Sequence, residues 1–115
     1  MRAKDLENFE SVKKMVAELS LLTRSENTKL TYLKGLKKFV DYKQIQNLDS
    51  FIQEVKEKKN QDEIFKEYAI YLANKNLAPK SVAAWISALK KYFEANDLKI
   101  SVNIPLKVFT IQEDI

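Results

Sequence analysis

Apolar residues recur every three or four positions through most of this chain, the spacing that is typical of amphipathic α-helices. The spacing predicts a first helix over roughly residues 5–22. A second helix is predicted to begin after Ser25, whose hydroxyl suits an N-cap, and to run to about Tyr42. The positions of these two helices that we expect to face the core are Leu6, Phe9, Val12, Val16, Leu19, Leu33, Leu36 and Val40.

Three further apolar stripes follow. Asn47 is predicted to cap a short third helix, and the polar run at residues 56–60 separates it from a fourth. The fourth helix is expected to end near residues 74–76. Pro79 suits the first turn of a fifth helix, ending around residues 96–97, because the missing N–H needs no partner there. The expected core positions of these helices are Leu48, Phe51, Ile52, Val55, Ile64, Phe65, Tyr68, Leu72, Val82, Ile86, Leu89 and Phe93.

The composition agrees with an all-α fold. The 115 residues include only one Gly and two Pro, and the length suits one domain. We therefore predict a compact bundle of four to five helices over residues 1–97. Residues 98–115 lose the helical period and are predicted to be extended. This C-terminal segment either folds back on the bundle or is a linker toward a further domain.

Several function classes are disfavoured by what the chain lacks. It has no Cys and no His, which excludes disulfides, thiolate metal sites and the commonest general base. No signal peptide or long apolar run is present, so we expect a cytoplasmic protein without a membrane partner. No phosphate-binding Gly-rich loop or metal signature occurs, and we predict no cofactor and no small-molecule substrate.

The positive charge is concentrated in two segments. The whole chain has a net charge of +4, yet residues 24–43 and residues 75–91 each carry a net +4. The second segment contains no acidic residue. Because both segments are helical by pattern, we predict that two helices together contact a polyanion.

Helical geometry groups these charges on outward strips. At 100° per residue, the second and fifth helices each place four residues at offsets 0, 4, 7 and 11, facing away from the core. Lysines suit phosphates, Asn and Thr suit phosphates or base edges, and small residues allow close approach. Adding Ser81, the candidate DNA-binding residues are Asn27, Thr31, Lys34, Lys38, Lys80, Ser81, Ala84, Ser87 and Lys91.

Each of these features has a simpler structural interpretation. Lysines on one helix are usually a solvated surface, and only the pairing of two strips favours nucleic acid. Gly35 inside a helix either leaves room for DNA or lets a neighbouring helix pack closely. Trp85, at the edge of an apolar arc, is a core residue or a stacking platform. Asp62, Glu63 and Glu67 suit the start of the fourth helix better than a metal site.

Three sequence runs resemble a known family. They are residues 25–39 (SENTKLTYLKGLKKF), 65–72 (FKEYAIYL) and 77–93 (LAPKSVAAWISALKKYF). In this order and spacing they resemble the N-terminal, SAM-like core-binding domain of tyrosine recombinases and phage integrases, most closely the archaeal Xer-like type. The resemblance covers roughly residues 8–96.

The resemblance implies that the second and fifth helices lie against the major groove of a recombination site, with other recombinase protomers bound beside them. By matched position, Thr28, Tyr32 and Leu36 would be structural. The residues that would face DNA are Thr31, Lys34, Lys38, Lys80, Ser81, Ser87 and Lys91. Ala84 departs from the family, since many relatives carry Arg there. The family's cleavage domain, with its Arg, Lys, His and nucleophilic Tyr, has no counterpart in this chain, so we expect no catalysis by it.

The prediction is therefore a double-stranded-DNA-binding module, associated with the nucleoid, from a site-specific tyrosine recombinase. Two alternatives stay open. One is a stand-alone DNA-binding regulator, which needs the C-terminal segment to complete the domain. The other is a helical protein-interaction module whose lysines meet an acidic partner.

Overall fold

The computed structural model describes residues 2–102, and within them the secondary structure is helical throughout, with no strand. A short 3₁₀ helix, Ala3–Asn8, comes first. The α-helices that follow are α1 (Glu10–Leu22), α2 (Glu26–Lys43), α3 (Leu48–Lys58), α4 (Gln61–Ala73) and α5 (Pro79–Ala95). The predicted all-α bundle is confirmed, and so are the apolar stripes at its centre.

Local capping explains where α2, α3 and α5 begin. The Ser25 side chain accepts a hydrogen bond from the Thr28 N–H at 3.3 Å, and Asn47 accepts one from the Ser50 N–H at 3.1 Å. Both oxygens satisfy a backbone donor that has no partner inside its helix. Pro79 occupies the first turn of α5, as predicted.

The first predicted helix is wrong in one respect, because it is two helices rather than one. Phe9 is extended, with φ −87° and ψ 135°, and it separates the 3₁₀ helix from α1. The carboxylate of Asp49, in α3, accepts hydrogen bonds from the N–H groups of Glu10 at 3.1 Å and Ser11 at 2.8 Å. A distant residue therefore supplies the cap, and it starts a new helix after Phe9.

The polar break was also placed too early. Helix α3 continues to Lys58 and ends where Lys59 adopts the left-handed conformation, with φ 53°. Helix α2 ends in the same way at Gln44, with φ 56°. Side chains with a β-carbon adopt this conformation infrequently, so a Gly is the usual signal for such an end. The chain uses Lys and Gln instead.

Helix α2 packs on α5 along the most extensive helix contact of the described residues. The contact is close because Gly35 faces Ala88: a β-carbon added at Gly35 would lie 2.8 Å from the Ala88 β-carbon and 3.4 Å from the Trp85 Cα. Of the two interpretations of Gly35, the structure supports helix packing. We call the line of contact the α2–α5 seam.

The C-terminal segment is described only as far as residue 102; residues 103–115 lie outside the described part of the chain. Leu98 and Ile100 are buried. The Ser101 N–H donates to Asp62 Oδ1 at 2.7 Å, so the segment begins against the first turn of α4. Within residues 2–102, none of the helices has the length and hydropathy that crossing a membrane requires.

Candidate nucleic-acid interface

The α2–α5 seam brings the two predicted strips together around one open groove of about 420 Å³. We call it the seam groove. Helix α2 contributes two of the predicted residues to it, and the first two turns of α5 contribute three. The residues that line it are Thr31, Lys34, Ala78, Lys80, Ser81, Ala84 and Trp85. Residues 50 positions apart thus form one surface because Gly35 and Ala88 let their helices approach closely.

Three lysines at this surface are not neutralised by the protein. Lys34, Lys38 and Lys80 are exposed, and none of them pairs with a carboxylate within residues 2–102. Elsewhere on α2, Lys29 pairs with Glu26 and Lys37 pairs with Asp41, at i,i+3 and i,i+4 spacing. We call Lys34, Lys38 and Lys80 the open lysines; their charge is available to an external anion.

Trp85 orders one of these cations. The Lys38 Nζ lies 5.3 Å from the centroid of the Trp85 ring, within the range of a cation–π interaction. Trp85 is half-buried and also lines the seam groove. The sequence leaves open whether Trp85 is a core residue or a stacking platform. In the structure it lies at the edge of the core, beside both predicted strips.

The polar groups of the seam groove differ in how much hydrogen bonding they have left to offer. The Thr31 hydroxyl donates to the Asn27 carbonyl at 2.8 Å, so its lone pairs are what it can offer a ligand. Ala78, at the N-cap of α5, has no side-chain acceptor for the first turn. Because Ala78, Lys80 and Ser81 all line the seam groove, the positive end of the α5 dipole lies at this groove.

Lys91 does not fit the predicted surface. Its Nζ lies 3.5 Å from a carboxylate oxygen of Glu18, in α1, and its side chain is 24% exposed. The second basic segment contains no acidic residue of its own, but α1 supplies one here, because α1 packs against the C-terminal half of α5. Asn27 and Ser87 are exposed but do not line the seam groove.

The structure also shows a second groove that the strips did not predict. It has a volume of about 230 Å³. Trp85 lines both this groove and the seam groove, whereas Lys38 lines this groove and not the seam groove. Its other cation is Lys75, in the connection between α4 and α5, whose Nζ lies 4.9 Å from the centroid of the Tyr71 ring. Lys75 counted toward the basic segment, but a helical period cannot place a residue that precedes the helix. We call this the loop groove.

The described residues offer little acid–base or metal chemistry. No group of three or more His, Cys, Asp or Glu side chains suited to a metal ion occurs in residues 2–102. Burial raises the pKa of the Tyr68 and Tyr92 phenols above the ordinary value. A raised pKa disfavours the phenolate, the form that a nucleophilic tyrosine needs.

One comparison with known proteins matches this chain. A family model described as "Phage integrase, N-terminal SAM-like domain" matches residues 12–96. The matched span begins in α1, contains the whole α2–α5 seam and ends one residue after α5. Comparison with curated proteins returns no match, and comparison with solved structures returns none.

Proposed function

Since this chain belongs to the family of phage integrase N-terminal SAM-like domains, we propose that it binds duplex DNA across the α2–α5 seam. The observation that carries the proposal is the set of open lysines. Lys34 and Lys80 come from different helices and line one groove, and Lys38 lies beside it on α2. Lysines that the protein leaves without counter-charges suit the phosphates of a duplex.

The seam groove also suits contact with the DNA backbone and base edges. Ala84 and Ser81 are short side chains at its centre, so the backbone of α5 can approach a duplex closely. Many members of the family carry Arg at the position of Ala84. The methyl group of Ala84 is too short to reach a guanine edge from that position. We therefore propose binding that depends mainly on phosphates, with limited base readout.

Within a recombinase, such a module would hold the duplex while another domain cuts and rejoins it. The chain has no His, and its seam groove contains no carboxylate, thiol or tyrosine. We therefore propose that this chain contributes binding and not strand cleavage, next to other recombinase protomers on the same DNA. Binding to chromosomal DNA would place it with the nucleoid.

The experiment is fluorescence anisotropy with a labelled duplex of about 25 base pairs, from 50 to 300 mM salt. If Lys34, Lys38, Lys75 and Lys80 each neutralise one phosphate, the log–log salt slope is about −3.6. We expect Lys34→Glu/Lys80→Glu to bind about 100-fold more weakly at 50 mM salt, with a slope nearer zero by about 2.

The matched control is Lys14→Glu/Lys66→Glu, which makes the same change in net charge on exposed positions of α1 and α4. We expect it to keep the wild-type slope. Equal loss in both double variants would assign the binding to net charge rather than to the α2–α5 seam. No binding by the wild type at 50 mM salt would contradict the proposal and favour a protein-interaction module.

A further inference from the structure

The loop groove differs from the seam groove in its aromatic lining, since Tyr68 and Tyr71 line it together with Trp85, whereas Trp85 is the one aromatic residue that lines the seam groove. Two apolar residues, Leu72 from α4 and Leu77 from the connection to α5, complete this lining. Its volume of about 230 Å³ is smaller than the pockets of roughly 300–1,000 Å³ that hold drug-sized ligands. The size suits one flat ring system rather than a peptide segment or a whole helix.

Two cations stand over the aromatic rings of this groove. Lys38 Nζ lies 5.3 Å from the centroid of Trp85, and Lys75 Nζ lies 4.9 Å from the centroid of Tyr71. Within the described part of the chain, neither lysine pairs with a carboxylate. The groove therefore combines two aromatic faces with two positive charges whose positions those faces help to set.

A buried hydroxyl supplies the remaining polar group. Tyr68 is only 1% exposed and lines the loop groove, and its hydroxyl has no hydrogen-bond partner among residues 2–102. A buried hydroxyl without a partner is costly, so native proteins rarely keep one unless a ligand or water completes it. Burial also raises the pKa of Tyr68, which keeps its hydroxyl protonated and able to donate.

The geometry points to a binding site for one unstacked nucleotide in the loop groove. The base would pack against Trp85 and Tyr71, and its phosphate would contact Lys38 and Lys75. The Tyr68 hydroxyl is closed to solvent in the unbound protein, so neighbouring side chains would move to let the polar edge of the base reach it. Base–aromatic stacking with nearby cations is a general means of holding unpaired nucleotides. This inference rests on the proposed function for the polymer that carries the nucleotide, because Trp85 lines both grooves and Lys38 is one of the open lysines.

Trp85 is the chain's only tryptophan, so its fluorescence reports without a label on the two grooves that it lines, and the abasic comparison and the Tyr68 and Lys75 variants below assign a signal to the loop groove. The full 115-residue chain is titrated with an octamer of thymidylate and with an abasic octamer of equal charge. We expect the thymidylate octamer to quench Trp85 and to bind at least about five-fold more tightly than the abasic one. Equal quenching by the two would overturn the inference, because it would show phosphate contact alone.

Two variants test the polar groups. Tyr68→Phe removes only the hydroxyl, and Lys75→Gln removes only a charge; each should weaken thymidylate binding about five-fold. The control Lys66→Gln removes a charge about 140° around α4 from Tyr71 and should change nothing. Tyr68→Phe that binds thymidylate like the wild type contradicts the hydrogen bond to the base, and so overturns the site as described.

A fully paired duplex in the same assay separates this inference from the proposed function. Duplex binding with no thymidylate quenching overturns the nucleotide site alone. If the protein neither binds the duplex nor is quenched by thymidylate, the proposed DNA-binding function is overturned as well. A phosphotyrosine peptide that quenches Trp85 where thymidylate does not would assign the loop groove to a protein ligand, and would equally overturn the inference.

Discussion

In the first turns of α5, Lys80 is exposed and Ser81 and Trp85 line open grooves, whereas in its last turns polar groups are buried and bonded. Asn96, just after the helix, is 1% exposed, and its amide donates to the carbonyl oxygens of Ser11 at 3.0 Å and Tyr92 at 2.8 Å. The Tyr92 hydroxyl lies within hydrogen-bond distance of Ser11 Oγ, at 2.9 Å.

The difference shows how one amphipathic helix serves two purposes. Polar groups at its C-terminal end satisfy one another and join α5 to α1 and α3, so their contribution is to stability. Polar groups at its N-terminal end have protein partners for only part of their capacity, so under the proposed function their contribution is to binding. Changes at the two ends should therefore affect different measurements.

The largest expected effect on stability comes from changing Gly35, because the packing of α5 along its whole length depends on the α2–α5 seam. Gly35→Leu places a branched side chain at a position where even an added β-carbon would lie only 2.8 Å from the Ala88 β-carbon. We expect a loss of about 3 kcal/mol in the free energy of unfolding, measured by urea denaturation, because overpacking forces the helices apart. The swap Gly35→Ala/Ala88→Gly moves the methyl group across the contact and should keep most of the stability. A Gly35→Leu variant as stable as the wild type would contradict the close seam.

The next largest effect is expected at the C-terminal end of α5, where a change should lower the stability of the fold and leave DNA affinity unchanged. Asn96→Ala leaves the Ser11 carbonyl buried without its donor and should cost about 2 kcal/mol of unfolding free energy. Where the variant is still folded, its duplex affinity should equal that of the wild type. An altered salt slope in Asn96→Ala would mean that the C-terminal end of α5 takes part in binding after all.

A smaller effect is expected at the N-terminal end of α5, where a change should weaken duplex binding more than the same change at the C-terminal end. Lys80→Gln removes an open lysine, and we expect about ten-fold weaker duplex binding at 50 mM salt and a slope nearer zero by about 1. Lys91→Gln is the matched control, because Lys91 already pairs with Glu18. Fluorescence anisotropy across a salt series measures both. If Lys91→Gln weakens binding as much as Lys80→Gln, the contrast between the two ends is wrong.

The smallest effect concerns acid stability at the bonded end. Partial burial raises the pKa of Asp49, but its hydrogen bonds with Ser11 and Glu10, and the charge of Lys13, outweigh burial and hold that pKa below the ordinary value. A lowered pKa means that the stabilisation is complete above about pH 4 and is lost as the pH falls through the folded-state pKa. The melting temperature of Asp49→Asn should therefore fall less between pH 5 and pH 2.5 than that of the wild type. The control is Glu67→Gln, at an exposed position of α4, whose melting temperature should fall with pH as much as that of the wild type.

Local signals allowed the best sequence predictions. Ser25 and Pro79 mark the starts of α2 and α5 because capping depends only on neighbouring residues. Lys34 and Lys80 are exposed, as their strips predict, because one helix alone decides exposure there; that they bind DNA stays a prediction. Family resemblance then indicated the kind of domain, which the match over residues 12–96 confirms.

The errors arose where distant residues meet. Asp49 caps α1 from another helix and divides the predicted first helix at Phe9. Glu18 neutralises Lys91 across a helix contact that no single-helix projection contains. The loop groove was missed for the same reason, since Lys75 and Tyr71 meet Trp85 only after α4 packs beside α5.

The most direct test of DNA binding at the α2–α5 seam is a map of backbone amide chemical shifts as a short duplex is added to the full chain at 50 mM salt. We predict the largest changes in the first four turns of α2, which include Lys38, in the first two turns of α5, and at Lys75. The amides around Ser11 and Asn96 should change little. Changes centred on the exposed face of α4 around Lys66, or on the bonded end of α5, would contradict the account.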